Sequence, residues 1–237
     1  MSGASLADKI RQAYYDGSAT PKPSEKELDE AMSFFMAASS GLDKGRGKAK
    51  RHYYATVIDV CGGHGMLGML FVLYARASSA IILDRKLPLS FAAMASNWAP
   101  ATLRFVITDV RDGLESTLAD AARSATTATT PSSPRVLVVG CHACGYLTDY
   151  VLDMATAAGM DPPGGGHRLG GCPSPPRHTH PSCCHCYGHR LSVALDMARM
   201  GRLAALPGYD VLLRTMDPSI TPQNRILIAK ASPPPAK

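Results

Sequence analysis

Asp59, Gly62, Gly63, Gly65 and Asp84 are the residues whose types and spacing most directly suggest chemistry. A β-branched and apolar run from Ala55 to Val60 predicts a strand with Asp59 near its end. The turn Cys61-Gly62-Gly63-His64-Gly65 follows, rich in a residue that tolerates positive φ and lets the backbone lie against a ligand. Met66 to Arg76 then predicts an apolar helix, and Ala80 to Leu83 a second short strand that ends in Asp84. Strand, glycine-rich turn, helix, strand, acid is the order in which a Rossmann-like unit holds a nucleoside. The second-strand carboxylate accepts the ribose hydroxyls, and the turn lies under the rest of the ligand. The order D-x-x-x-G-x-G departs from the dinucleotide pattern G-x-G-x-x-G, which weighs against a nicotinamide cofactor. The plainer reading is a glycine-rich turn in an ordinary α/β domain.

A second group of candidates is built from cysteine and histidine. Cys141 and Cys144 form one C-x-x-C pair, and Cys183 and Cys186 a second, crowded by His178, His180, His185 and His189. Four thiolates from two such pairs suit tetrahedral zinc. The alternative is a set of buried thiols packed at the carboxyl end of a sheet. A third candidate is the basic connector from Asp43 to His52, carrying Lys44, Arg46, Lys48, Lys50 and Arg51. It reads either as a solvated loop, the usual fate of a charge run, or as a phosphate-binding patch.

These residues need a scaffold, and 237 residues with 46% apolar content suit one α/β domain with an appendage. A net charge of +6 and a pI near 9.0 mildly favour a polyanionic partner. No run of about 18 apolar residues occurs, so no membrane span is expected. The first residues, MSGASLADKIRQAYYDG, lack the apolar core of a secretory signal. The expected setting is therefore cytoplasmic and reducing, with the seven cysteines as thiols.

Two helices are predicted ahead of the first strand. Leu6, Ile10 and Ala13 share one face of the first, with Gly17 as its stop. Ser24 and Glu27 form a capping box for the second, whose apolar stripe is Leu28, Met32 and Phe35. After Asp84, a helix runs from Pro88 to about Trp98, a third strand from Leu103 to Ile107 with Asp109 beyond it, and a helix from Asp112 to Arg123. Arg135 to Gly140 reads as a buried strand, and Thr148 as the cap of a helix reaching Ala158. Residues 160–182 are proline- and glycine-rich where such a fold places its fifth strand. They are either an insertion or the mark of a defective sheet. Leu191, Leu195, Ala198 and Ala205 then predict the apolar face of a helix, with Asp196, Arg199 and Arg202 largely off it. Tyr209 to Thr215 and Arg225 to Lys230 predict a final antiparallel pair. The expected division is a helical extension and basic connector over 1–52, a catalytic domain over 53–231 and a disordered tail over 232–237.

Four segments carry a resemblance to class I S-adenosylmethionine-dependent methyltransferases, in the branch of methyltransferase-like protein 25 and the methyltransferase domain of the glutathione S-transferase C-terminal-domain-containing protein. They are Asp59-Val60-Cys61-Gly62-Gly63-His64-Gly65; Cys141-His142-Ala143-Cys144-Gly145-Tyr146-Leu147-Thr148-Asp149; Cys183-Cys184; and Leu195-Asp196-Met197-Ala198-Arg199 with Ile220-Thr221-Pro222-Gln223-Asn224-Arg225. The resemblance implies a Rossmann-like, doubly wound mixed sheet of seven strands and S-adenosylmethionine as methyl donor. Its acceptor would be a macromolecule, RNA or protein. Asp59 would lie near the donor's amino-acid part, indirectly or through its ammonium, Gly63 and Gly65 would give it access to the protein backbone, Asp84 would take the ribose and Asp109 would partner the adenine amino group. Asp109 reads equally as a strand-end carboxylate capping the next turn. The resemblance also accounts for Cys141, Cys144, Cys183 and Cys184 without metal, so zinc is the less favoured reading. His142 is the candidate base or positioning group, since an unperturbed imidazole titrates near neutral pH; its alternative is a side chain that only holds the turn. The chain departs from the family before Cys183, where Arg177-His178-Thr179-His180-Pro181-Ser182 replaces an apolar strand. That departure leaves open a contrasting reading, a zinc-stabilised, catalytically impaired module that binds nucleic acid.

Overall fold

The computed structural model describes residues 14, 23–43, 54–74, 76–98, 102–126, 135–141, 143, 146–159, 188–217, 219–220 and 225–231. Along the chain run α1 (Glu25–Asp43), β1 (Tyr54–Val60), α2 (Met66–Leu73), β2 (Ala77–Asp84), α3 (Ser90–Trp98) and β3 (Leu103–Ile107). They are followed by α4 (Val110–Thr126), β4 (Arg135–Val139), α5 (Tyr146–Gly159), α6 (Gly188–Ala204), β5 (Tyr209–Thr215) and β6 (Arg225–Ala231). Of the predicted first helix only Tyr14 is described; it is buried, and its hydroxyl donates to the Pro23 carbonyl.

The strands β1 to β4 form one parallel sheet in the order β3-β2-β1-β4. Asp59 pairs with Ile82 on one side and Val139 on the other, and Asp84 pairs with Ile107. The chain winds outward from β1 through β2 to β3 and then returns to the other side of β1. The strand order therefore reverses between β1 and β4, where an open α/β sheet has its ligand crevice. Helices cover both faces, which is why β1 reads as an almost unbroken apolar run. On one face, Ile58, Val60, Ile81 and Leu83 pack with Val110, Leu114, Leu118 and Ala121 of α4 and Val151 of α5. On the other, Val57, Ala80 and Ile82 meet α2, α3 and α1.

The capping box forms as predicted. The Ser24 amide donates to Glu27 Oε2 at 2.6 Å, and the Glu27 amide donates to Ser24 Oγ at 3.2 Å. The apolar stripe of α1 extends through Leu28, Ala31, Phe35, Ala38 and Leu42, all buried. Phe35 sets its ring edge-on to Phe71 of α2 at a centroid distance of 5.0 Å. The same core includes Met216, Ile226 and Ile228 from the end of the chain, so α1 braces β5 and β6 against the parallel sheet.

Several boundaries differ from expectation. α2 stops at Leu73 rather than Arg76, because the Arg76 carbonyl accepts the Tyr54 amide and turns the chain toward β2. β2 begins at Ala77 instead of Ala80. Its polar Ser79 is satisfied inside the sheet, 3.0 Å from Thr56 Oγ1 and 3.1 Å from the Ala55 carbonyl. Thr148 is not a cap: it lies inside α5, and its hydroxyl donates back to the Ala143 carbonyl.

Two larger corrections concern the C-terminal part. β5 and β6 pair antiparallel as expected, Tyr209 with Ala231 and Thr215 with Arg225, but as a separate two-stranded sheet. Among the described residues no ladder joins that pair to β4; residues 160–182 lie outside them. The predicted face of α6 is also overturned. Leu195 is 46% exposed and Ala198 and Ala205 are exposed, whereas Arg199 is mostly buried and Leu203 fully so. α6 docks through the buried Leu203 together with the ion pairs of Arg199 and Arg202 to Asp149. No helix among the described residues is long and apolar enough to cross a membrane.

Candidate functional site

The crevice is built first from β1. Asp59, 1% exposed, sits one residue before the strand end, and its Oδ2 accepts the Gly68 amide of α2 at 2.9 Å. Gly68 is the third residue of α2, so a strand carboxylate supplies the acceptor that an N-cap side chain usually provides. Burial pushes Asp59 up to about 7, the Gly68 N–H opposes this, and the Asp84 charge adds to it. A buried carboxyl with so strained an ionisation is the kind of group that clusters at functional sites.

Backbone geometry lets the turn wrap over this acid. Cys61 has φ 55°, Gly63 51° and Gly65 76°, and the Gly65 amide closes the turn on the Gly62 carbonyl at 2.7 Å. At Gly62 the reason for glycine is space: a Cβ there would stand 2.8 Å from both Asp59 Cγ and Ile82 Cγ2. Gly63 is the opposite case, since a Cβ there would meet nothing within 4 Å. That open side of the turn is where a ligand can lie against bare backbone.

Asp84 reaches across from β2. Its Oδ2 accepts the Gly63 amide at 3.0 Å and its Oδ1 the Lys86 amide at 3.2 Å. Each oxygen keeps lone-pair capacity, so the carboxylate is held in place while still able to accept two hydroxyls. Asp109 follows β3 and caps α4. Its Oδ1 accepts the Arg111 amide at 3.0 Å, and the Arg111 guanidinium grips both oxygens at 3.1 and 3.2 Å. Arg111 holds its carboxyl below the usual range. The capping role therefore describes Asp109 in this structure.

Cys61 is half-buried, and its thiol is pushed up to about 11, by burial first and then by Asp84, Asp59 and Asp109. It is a neutral thiol at physiological pH. From the neighbouring strand, Gly140 approaches so closely that a Cβ would lie 3.3 Å from the Val60 carbonyl oxygen. This brings Cys141 and Ala143 beside the turn. Cys61 packs on the α4–α5 core and Cys141 on the α1–α2 core, so the two thiols belong to opposite faces.

The chain matches no family model and no curated protein. The architecture it does carry is an α/β fold with a Rossmann-like parallel sheet and an N-terminal helix.

Of the remaining sequence candidates, His142, Cys144, Cys183, Cys186 and the connector cations Lys44 to Arg51 lie outside the described residues, as do His178, His180 and His185. Among the described residues no group of three or more His, Cys, Asp or Glu side chains could hold a metal.

The structure adds residues that sequence reasoning passed over. His64, inside the turn, places Nδ1 2.5 Å from Oγ of the buried Ser90, tying the turn to the start of α3. Its sequence signal was weak, a single imidazole among glycines. Further along the rim, Asp149 of α5 accepts Arg199 at 3.0 and 2.7 Å, Arg199 also reaches Asp196 at 3.2 Å, and Asp196 accepts Arg225 at 2.8 Å. Arg202 adds bridges to Asp149 at 3.2 Å and Asp153 at 3.1 Å. The segments quoted above around Thr148-Asp149, Asp196–Arg199 and Arg225 are thus one charge network, which ties α6 and β6 to the helix leaving β4.

Proposed function

We propose that this chain is an S-adenosylmethionine-dependent methyltransferase of the class I type, acting on a macromolecular acceptor, RNA or protein. The observation that carries the reading is the pair of carboxylates, Asp59 and Asp84, at the ends of adjacent parallel strands, both hydrogen-bonded to the glycine turn and its helix. The residues fit such a donor: an open face over Gly63, a ribose-type acid held in position, and a buried acid suited to a cationic partner.

When bound, S-adenosylmethionine supplies a methyl group already activated by its sulfonium. The protein's work is then alignment and exclusion of water, which can be worth several kcal/mol. Asp84 presents lone pairs for two adjacent hydroxyls in a charge-assisted geometry. Asp59, costly to ionise when alone, would be stabilised as a carboxylate by an ammonium brought near it. Asp109 closes the rim beyond β3, and His142, next to Cys141, is the candidate base if the acceptor must lose a proton.

Isothermal titration with S-adenosylmethionine tests the reading. Asp84→Ala should weaken binding on the order of 100-fold by removing a charge-assisted hydrogen-bond pair. A folded Asp84→Ala protein with unchanged affinity, or a wild-type protein that binds no donor, would overturn it. Stoichiometric zinc in a protein that binds no donor would favour the metal-stabilised module instead.

A further inference from the structure

Two neighbouring residues of the glycine turn hold the two ends of one short segment. Gly63 donates its amide to Asp84 Oδ2 at 3.0 Å, at the end of β2. His64 places Nδ1 2.5 Å from Oγ of Ser90, the first residue of α3. Residues 85–89 span the interval, so turn and segment make a closed ring of chain joined at both ends by hydrogen bonds. Within the segment, Lys86 donates its amide to Asp84 Oδ1 at 3.2 Å, and Phe91 donates its amide to the Pro88 carbonyl at 3.1 Å. Asp84 is thus gripped on one oxygen by the turn and on the other by the segment.

The segment is held by its ends. Arg85, Lys86, Leu87 and Leu89 are all exposed, so its middle gains little from burial. Two contacts of different kind press the start of α3 onto the turn. Phe91 lies so close that a Cβ at Gly65 would stand 3.2 Å from its Cε2, and its ring meets Phe105 of β3 edge-on at 4.9 Å. Apolar packing of this sort is non-directional and does not fix register. The His64–Ser90 bond is directional. Ser90 is 1% exposed, so its hydroxyl has little water to take the place of the imidazole. Neither α2 nor α3 contains a charged residue, so no ion pair from those helices competes for the ring.

We infer that His64 is a positioning residue for the carboxylate of Asp84, acting through Ser90. By anchoring the far end of the segment, the imidazole sets where the Lys86 N–H lies, and with it Asp84 Oδ1. A carboxylate that is to accept two adjacent hydroxyls must be held within about 0.5 Å of its working position. The inference rests on the donor reading for the identity of the ligand, yet the hydrogen bonds to Asp84 report on it with no ligand present.

The test begins with amide hydrogen exchange, followed by NMR on the full chain without ligand. His64→Ala and Ser90→Ala should each speed exchange at Gly63 and Lys86 about 3- to 10-fold, and the double variant no further, since all three remove the same bond. Exchange at Gly68, held by Asp59, should stay at the wild-type rate. His64→Asn, whose side-chain amide stands where Nδ1 does, should restore slow exchange. Ser90→Ala removes a single oxygen, so it tests the bond even where His64→Ala fails to fold. Titration then compares S-adenosylhomocysteine with its 2′,3′-dideoxy analogue, which offers Asp84 no hydroxyl. The variants should bind the first about 3- to 10-fold more weakly than wild type and the second equally well. Unchanged exchange at Gly63 and Lys86, or equal loss of both compounds, overturns the inference and leaves the donor reading standing. A wild-type protein that binds neither compound removes the donor reading alone, because exchange at the two amides still decides whether His64 positions Asp84.

Discussion

The glycine turn between β1 and α2 and the charge network between α5, α6 and β6 hold two sides of the same crevice by opposite means. At the turn, carboxylates accept backbone N–H groups: Asp59 from Gly68 and Asp84 from Gly63, across 9 and 21 residues of chain. At the network, side chains bind side chains across 50 residues for Asp149–Arg199 and 29 for Asp196–Arg225. The first arrangement is preorganised by the backbone and leaves an acid strained for a ligand. The second consists of half-buried ion pairs, whose attraction is offset by desolvation and whose value is mostly in fixing one arrangement. The difference teaches that the side of the glycine turn should answer to pH and the C-terminal side to salt.

The largest expected effect tests the pH half of that contrast. Asp59 keeps its proton in the folded state up to about 7, whereas the unfolded chain loses it near 3.8. Between those values the folded state binds more protons, so stability is fully present below about 4 and falls as pH rises toward 7. Asp59→Asn retains an oxygen for the Gly68 N–H and has no charge to desolvate. In urea unfolding without ligand, the loss of stability between pH 5 and pH 8 should shrink by about 2–3 kcal/mol in this variant. An identical pH profile in both proteins would mean that Asp59 is not strained.

A smaller effect is expected at the network. Asp149→Ala leaves the mostly buried Arg199 with Asp196 as its remaining carboxylate partner in the network. The cost should be about 1–3 kcal/mol, below that of a fully buried pair because Asp149 is itself partly exposed. The wild-type midpoint should fall with added salt more than that of the variant, as screening weakens a contact the variant lacks. Equal salt dependence would reduce the network to a surface ornament of the fold.

The smallest change sharpens the turn itself. Gly63→Ala puts a methyl into open space at φ 51°, so it should cost only about 1 kcal/mol of stability. The same methyl occupies the side of the turn where backbone would meet ligand, so affinity for the proposed donor should fall well beyond that stability cost. Titration and thermal unfolding of the one variant separate the two effects. Parallel losses would show that the open side of Gly63 is not the ligand face.

The parallel strands, the turn and the two acids were legible in the sequence because each depends on local pattern. Buried parallel strands must be apolar throughout, and a turn of positive φ calls for glycine. β2 was read too short because Ser78 and Ser79 look like loop until Thr56 is placed opposite them. The face of α6 was misread for a deeper reason. Apolar periodicity finds helices that dock by the hydrophobic effect, and α6 turns Arg199 inward while Leu195 and Ala198 face solvent.

The amino-acid sequence by itself determined the β-turn-α-β unit, the acids at its strand ends and the capping box of α1, since neighbouring residues specify all of these. Only the tertiary structure decided that Asp59 is buried under Gly62, that His64 reaches Ser90, and that Asp149, Arg199, Asp196 and Arg225 share one network. Each depends on groups distant in the chain arriving at one end of a sheet, and on how much water remains around them when they do.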